Sequence, residues 1–343
     1  MNDRIEPLVK SIDVATVKAI TAIPPQTSVT LSSSGDHLIY CDNPEAFSVV
    51  PSSSIYLWGA GIGTSFKDVE MYHRFYNGWN NTAQIRTGLA VRNSNSSATT
   101  ITYKCSTGYL DGGSDSTALS TTPGVLRSFI NKSTSTVSVP AYGTVFLCGY
   151  TGNFVQNQSK FAFVRARLKS TKTSNVYMRT FVVGANNVND MNSVFNISTP
   201  EAGESSHFCG ELPYNEKSVS ISATQNNSYR FFGSSTTNTN EYDTPYTTPK
   251  SPGQTLFIGN YGLKYTLNIS NASGKTLNVV PDWTISGRTA ASLLYKLNSG
   301  SWTVGSVLTS GMMWSFSLGS NSTATFSFYL AGGNYGNYIV YFS

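Results

Sequence analysis

The chain has 343 residues, a length that favours two domains over one. Only 12% of its residues are charged and 13% are aromatic, with 23 Lys and Arg against 18 Asp and Glu for a net charge of +5. That charged fraction is about half of the ~25% usual for soluble domains, and it contains no run of basic residues, which argues against nucleic-acid binding. No stretch reaches the ~18 apolar residues of a membrane-spanning helix.

The first 25 residues read MNDRIEPLVKSIDVATVKAITAIPP. Asp3, Glu6, Lys10, Asp13 and Lys18 interrupt every apolar run, so no secretory signal is recognisable. Ile12 and Val14 alternate with polar neighbours, and Pro24 and Pro25 stop regular structure. This pattern predicts an extended arm over residues 1–30. Its apolar positions Leu8, Ile12, Val14, Val17 and Ile20 suit a strand added either to the chain's own sheet or to a neighbouring subunit.

Beyond the arm, apolar alternation of period two recurs and helical periodicity is scarce. In Phe66–Tyr76, Val69, Met71, His73 and Phe75 share one face while Asp68, Glu70, Tyr72 and Arg74 share the other. Lys160–Lys169 repeats the pattern, with Ala162, Val164, Ala166 and Leu168 opposite Arg165, Arg167 and Lys169. Val176–Val183 follows a polar turn and reads as its hairpin partner. Strand signals spaced by Ser, Thr, Asn and Gly turns run on to Tyr338–Phe342. The expected fold is all-β: two tandem antiparallel β-sandwiches, jelly-roll or Ig-like, over residues 31–190 and 200–343.

Three pairs of segments suggest a tandem duplication with its boundary near residues 186–204. Residues 88–104 (GLAVRNSNSSATTITYK) match 262–280 (GLKYTLNISNASGKTLNVV), and 137–150 match 314–332 as strand, polar turn, strand. His37 with Cys41 and His207 with Cys209 form the third pair.

Chemistry-bearing residues are sparse. The three histidines are His37, His73 and His207, and no G-x-S-x-G accompanies them, so no hydrolase triad is supported. The Asp111–Asp115 loop lacks the spaced ligands of an EF-hand, and GAGIG at 59–63 lacks a following helix to hold phosphate. No catalytic residue, metal or cofactor is expected. Trp58, Trp79, Trp283, Trp302 and Trp314 suit cores and interfaces first and a sugar-stacking platform second. Cys41, Cys105, Cys148 and Cys209 never form a C-x-x-C pair, and they allow three disulfide pairings. Cys105 and Cys148 fall in strands of one sandwich and are the favoured intradomain pair, while pairing between subunits stays open. Arg165, Arg167, Lys169 and Arg179 form a cross-strand basic patch, a solvated face first and an assembly contact second. Acidic partners for such a contact are most densely supplied by Glu201, Glu204, Glu211 and Glu216.

The runs IYCDNPEAF (39–47), MYHRFYN (71–77) and TGLAVRNSN (87–95) resemble a pattern in uncharacterised surface proteins of spore-forming and related bacteria. The resemblance covers roughly the first half and implies β-sandwich modules outside the cytoplasm, with no catalytic residues. The expected function is therefore a structural subunit, not an enzyme. It would polymerise with identical copies into a filament or appendage on a bacterial cell or spore surface, with disulfides and without membrane insertion. A carbohydrate-binding or adhesive module is the alternative, and a viral capsid or tail subunit the third reading.

Overall fold

The computed structural model describes residues 15–43, 46, 47, 54–76, 83–111, 115–154, 159–184, 191–205, 207–224, 226–231, 246, 249–253, 261–284, 287–330, 332 and 336–343. Edge strands β1 (Thr16–Ala19) and β2 (Ser32–Ser34) precede β3 (His37–Cys41), β4 (Ala46–Phe47), β5 (Ser54–Gly61), β6 (Lys67–Tyr76), β7 (Ala83–Asn93) and β8 (Thr99–Asp111). Helix α1 (Asp115–Asn131) leads to β9 (Ser135–Val139), β10 (Thr144–Phe154), β11 (Ser159–Ser170) and β12 (Val176–Gly184). After α2 (Met191–Asn196) come β13 (Cys209–Leu212), β14 (Glu216–Ser222), β15 (Ser228–Phe231), β16 (Lys264–Ser270) and β17 (Thr276–Pro281). The chain ends with β18 (Ala290–Ala291), β19 (Leu294–Leu297), β20 (Thr303–Val304), β21 (Leu308–Thr309), β22 (Met312–Ser317), β23 (Thr323–Tyr329) and β24 (Tyr338–Phe342).

The fold is all-β, with four large sheets that pack in two pairs around separate cores. Sheet I runs β13-β3-β6-β11-β8-β9 with β4 alongside β6, and sheet II runs β10-β7-β12-β5. Ile39, Val69, Met71, Val164 and Leu168 of sheet I meet Leu57, Leu89, Val91, Met178 and Val182 of sheet II. Sheet III runs β2-β14-β16-β23-β19-β20, and sheet IV runs β1-β22-β17-β24-β15. Tyr265, Leu267, Phe326 and Phe328 of sheet III meet Trp314, Phe316, Val340 and Phe342 of sheet IV. Each fully buried Leu or Phe contributes ~2 kcal/mol of transfer free energy. The period-two alternation read in β6 and β11 is what divides each strand between a core and the outside.

The strand order repeats. Sheet II (β5-β12-β7-β10) has the order of β15-β24-β17-β22 in sheet IV. In sheets I and III alike a parallel pair, β3 with β6 and β14 with β16, is followed by antiparallel neighbours, β11 then β8 and β23 then β19. By this order β7 corresponds to β17 and β10 to β22. The segments matched in sequence, β7-β8 with β16-β17 and β9-β10 with β22-β23, are thus one strand out of step. Polar hairpin-like segments rich in Ser, Thr and Asn resemble one another whichever sheets they join. His37-Cys41 and His207-Cys209 do not correspond either: β13 pairs antiparallel with β3, and Cys209 lies directly opposite Cys41.

Two local expectations are corrected. Val176–Val183 is not the hairpin partner of Lys160–Lys169, because β11 pairs with β6 and β8 in sheet I while β12 pairs with β7 and β5 in sheet II. The polar turn between them carries the chain across the sandwich. The 17-residue helix α1 was not legible, since Pro123 sits inside it and Ser and Thr dilute its period. Packing holds it: Ala118, Leu126 and Phe129 lie against Tyr72, Phe161 and Phe163 on the outer face of sheet I and against Leu294 of β19.

Neither sheet pair is closed by contiguous chain. Strand β13, from the second half, finishes the edge of sheet I, whereas β1 and β2, from the N-terminus, cover edges of sheets IV and III. The disulfide Cys41–Cys209 fastens the first of these crossings, and Cys105–Cys148 joins sheet I to sheet II. The bonds span 168 and 43 residues, so the chain-entropy estimate assigns about 5 and about 4 kcal/mol to them. Paired Cys→Ser substitution at 41 and 209 is therefore expected to lower stability in urea unfolding more than the same change at 105 and 148. The reverse order would refute the loop-length account.

Candidate functional site

The densest polar cluster lies where the outer face of sheet I meets residues of the second half. On neighbouring strands, Glu70 is opposite Arg165 and Asp68 opposite Arg167. Arg165 donates from Nη2 to Asp68 Oδ2 at 2.8 Å and from Nη1 to Glu70 Oε2 at 3.2 Å. Arg167 donates to Asp68 Oδ1 at 3.2 Å and also to Asp36 Oδ2. From the second half, Asn215 Nδ2 donates to Asp68 Oδ2 at 2.9 Å, and the Gly332 N–H donates to Glu70 Oε1 at 3.2 Å. Gly262, at φ +74°, closes over the cluster, and a Cβ there would lie 2.6 Å from Arg165 Nη1 and 2.7 Å from Glu70 Oε2. Only glycine fits that approach and that backbone conformation.

Arg165 is 1% exposed and Glu70 is fully buried. Burial pushes the Glu70 carboxyl up to about 7, against the opposing pull of Arg165 and the Gly332 N–H. Burial alone would lower the Arg165 guanidinium, but Asp68 and Glu70 more than offset it, and Arg165 remains charged. With three carboxylates facing two guanidinium groups, a proton on Glu70 brings the cluster to charge balance.

The four residues read as a basic patch are divided by the fold. Arg165 and Arg167 belong to this seam, and Lys169 and Arg167 lie over the Phe66 ring at 4.6 and 4.7 Å. Arg179 is on the outer face of sheet II, donating to the Val194 and Ile197 carbonyls at 2.6 and 2.8 Å. Of the expected acidic partners, Glu211 accepts from His37 Nδ1 at 2.5 Å and Lys67 Nζ at 2.6 Å. Glu216 pairs with Lys264 at 2.6 Å, and Glu204 with His207 at 2.8 Å. His73 is buried against Phe47 and Phe75. The three histidines thus stand in three separate settings, and no metal-holding group of three His, Cys, Asp or Glu occurs among the described residues. The four described tryptophans form no common platform: Trp314 is in the second core, Trp302 packs on Tyr329, Trp283 donates to Met312 O, and Trp58 lines the first core. Trp79 lies outside the described residues.

A second knot follows the Cys41–Cys209 bond, and sequence reading missed it because its members are far apart in the chain. Asn43 Nδ2 donates to the carbonyls of Glu204, His207 and Pro252, and its Oδ1 accepts the Glu204 N–H. Lys250 Nζ donates to Asn43 O at 2.8 Å, and burial holds this ammonium down at about 8 while Glu201 and Glu204 oppose the shift.

The described part of the arm binds the second sheet pair. Thr16 to Ala19 pair antiparallel with Ser315 to Met312, and Ile20 N–H donates to Gly311 O at 2.9 Å. Thr27 and Pro25 exchange main-chain bonds with Ser228, and Ser32 to Ser34 pair with Ser218 to Glu216. The β1 and β2 side chains are exposed, so main-chain hydrogen bonds hold these strands, while Ala15, Ile20, Val29 and Leu31 add apolar contacts. Val17 and Ile20 are therefore placed; Leu8, Ile12 and Val14 lie outside the described residues.

Replacing Arg165 with Leu takes the ion-pair partner from buried Glu70 and leaves Asp68 to Arg167 and Asn215, and urea unfolding is expected to show a loss of ~3 kcal/mol. Between pH 4.5 and 7 the unfolded chain releases the Glu70 proton while the folded chain keeps it. Stability should thus fall by ~3 kcal/mol as pH rises through that window. Glu70→Gln should flatten this slope in unfolding measured at each pH, and an unchanged slope would assign it to other groups. No protein-family model matches the chain, and no curated protein shows significant similarity to it.

Proposed function

We propose that the chain is a structural subunit that assembles with copies of itself through its sheet edges. The observation that carries this reading is an inequivalence between equivalent edges. In the second sheet pair the outer edge of β22 is covered by arm strand β1. In the first pair the corresponding strand, the 11-residue β10, pairs only with β7, and no strand covers its other edge among the described residues. An uncovered edge is a template for another strand, and β1 displays how this chain's own arm fits such a place. An arm from one copy laid on β10 of the next would propagate head to tail, because donor and acceptor surfaces differ.

The low charge, the two disulfides and the absence of any convergent catalytic group among the described residues support a structural role over an enzymatic one. The resemblance of residues 39–47, 71–77 and 87–95 supports a filament or appendage on a bacterial cell or spore surface. The paired sheets serve equally for a closed coat of the viral capsid kind, since jelly-roll sandwiches build capsid domains.

Full-length protein is expected to form regular assemblies in negative-stain electron microscopy, and protein lacking residues 1–20 to remain small by light scattering while keeping its β-rich circular dichroism. Monomers at every concentration of the full chain would overturn the proposal. Filaments or closed particles in the images decide its form.

A further inference from the structure

The outer face of sheet II carries a groove of about 490 Å³ that takes no part in the seam or in the arm contacts. Helix α2 covers one part of that face, with Met191 and Val194 on Phe181, Val183 and Ala90. The strip left open is set by register. In one row Arg92, Tyr177 and Gly61 stand side by side across β7, β12 and β5; in the next, Ala90, Arg179 and Gly59 do so. Ser94 and Phe195 complete the walls.

The two glycines matter by what they omit. A Cβ at Gly61 would meet nothing within 4 Å, so β5 forms a flat floor over which a ring can reach the backbone. Tyr177 stands beside that floor, 44% exposed. Arg179 lies 3.9 Å from the Tyr56 ring and has committed Nη1 to the carbonyls of Val194 and Ile197. The Arg92 side chain makes no hydrogen bond or ion pair among the described residues. Among the described residues no carboxylate lines the groove. Among the described residues it is therefore a half-enclosed slot with the Arg92 guanidinium fork facing it, a second cation in Arg179 behind, an aromatic face and a hydroxyl.

We propose that this groove binds a sugar bearing a carboxylate, as at an acidic glycan terminus. The Arg92 fork matches a carboxylate in a bidentate way. Tyr177 offers the apolar face against which the C–H side of a pyranose packs, leaving its hydroxyls to Ser94 and solvent. A polyphosphate chain fits less well, because tracking its charges takes a row of cations and the described lining holds two, Arg92 and Arg179, the latter bonded to the Val194 and Ile197 carbonyls. The site is independent of assembly: it lies on the face of sheet II, not on the β10 edge.

Saturation-transfer NMR and calorimetry with methyl glucuronide and neutral methyl glucoside test the proposal directly. The acid is expected to bind with a Kd of about 1 mM, the neutral sugar about tenfold more weakly or worse, and Arg92→Ala and Tyr177→Ala each to weaken the acid about tenfold. Both side chains are partly solvent-facing, so unchanged thermal unfolding should show that the variants fold. Equal binding of the two sugars, binding indifferent to both substitutions, or no binding at concentrations well above 1 mM would each overturn it. Tighter, Arg92-dependent binding of a short oligothymidylate would do the same, and would reassign the groove to single-stranded nucleic acid.

Discussion

Arg165 carries a permanent charge into a place from which water is excluded, and the arrangement of the two halves follows from how that charge is met. Two of its partners, Asp68 and Glu70, come from the adjacent strand of the same sheet and are set by register alone. The rest of the shell, Asn215, Gly262 and Gly332, comes from the second half of the chain. Asp68 and Glu70 gain their bonds from Asn215 and Gly332 only when the second half lies against the outer face of sheet I. Desolvating such a group offsets most of the Coulomb gain, so its effect is to orient rather than to add net stability. The apolar contribution at the same seam comes from α1, wedged between Phe161 and Phe163 on one side and Leu294 on the other.

The crossing strands make this orientation hard to undo. Strand β13 belongs by sequence to the second half but completes the sheet of the first, and the Cys41–Cys209 bond pins it there. Residues 15–34 run the other way, from the N-terminus across the second sheet pair. Separating the halves would therefore break backbone ladders as well as the seam. This is a construction suited to bearing load or holding a fixed shape.

Because the seam covers the outer face of sheet I, the face that the first pair has left to present is that of sheet II. It carries the β10 edge, which no strand covers among the described residues, and, on its broad side, the Arg92–Tyr177 groove. An assembly contact and a ligand slot can coexist there because one uses main-chain groups at the sheet margin and the other uses side chains normal to it. A subunit that polymerises by its edges and displays a recognition face is consistent with both.

The sequence by itself determined what depends on near neighbours in the chain. Alternation in 66–76 and 160–169 identified the strands and their core-facing sides, since side-chain direction in a strand has period two wherever the strand ends up; that Asp68 and Glu70 face Arg165 and Arg167 was not read from it, and the acidic partners expected for those arginines were Glu201, Glu204, Glu211 and Glu216. The cysteine pair 105–148 was legible for the same reason, once both strands were assigned to one sandwich. Which strands become neighbours was decided only by tertiary structure. The turn at 171–175 looks the same whether it closes a hairpin or crosses a sandwich, so β12 was given to the wrong sheet. Helix α1 exists because an apolar face of sheet I needed covering, which outweighs Pro123 and a run of Ser and Thr. The pairing of Cys41 with Cys209, the burial of Arg165 and the row of Arg92, Tyr177 and Gly61 all join residues tens to hundreds of positions apart. Long-range register is an outcome of packing two cores at once, and no local pattern encodes it.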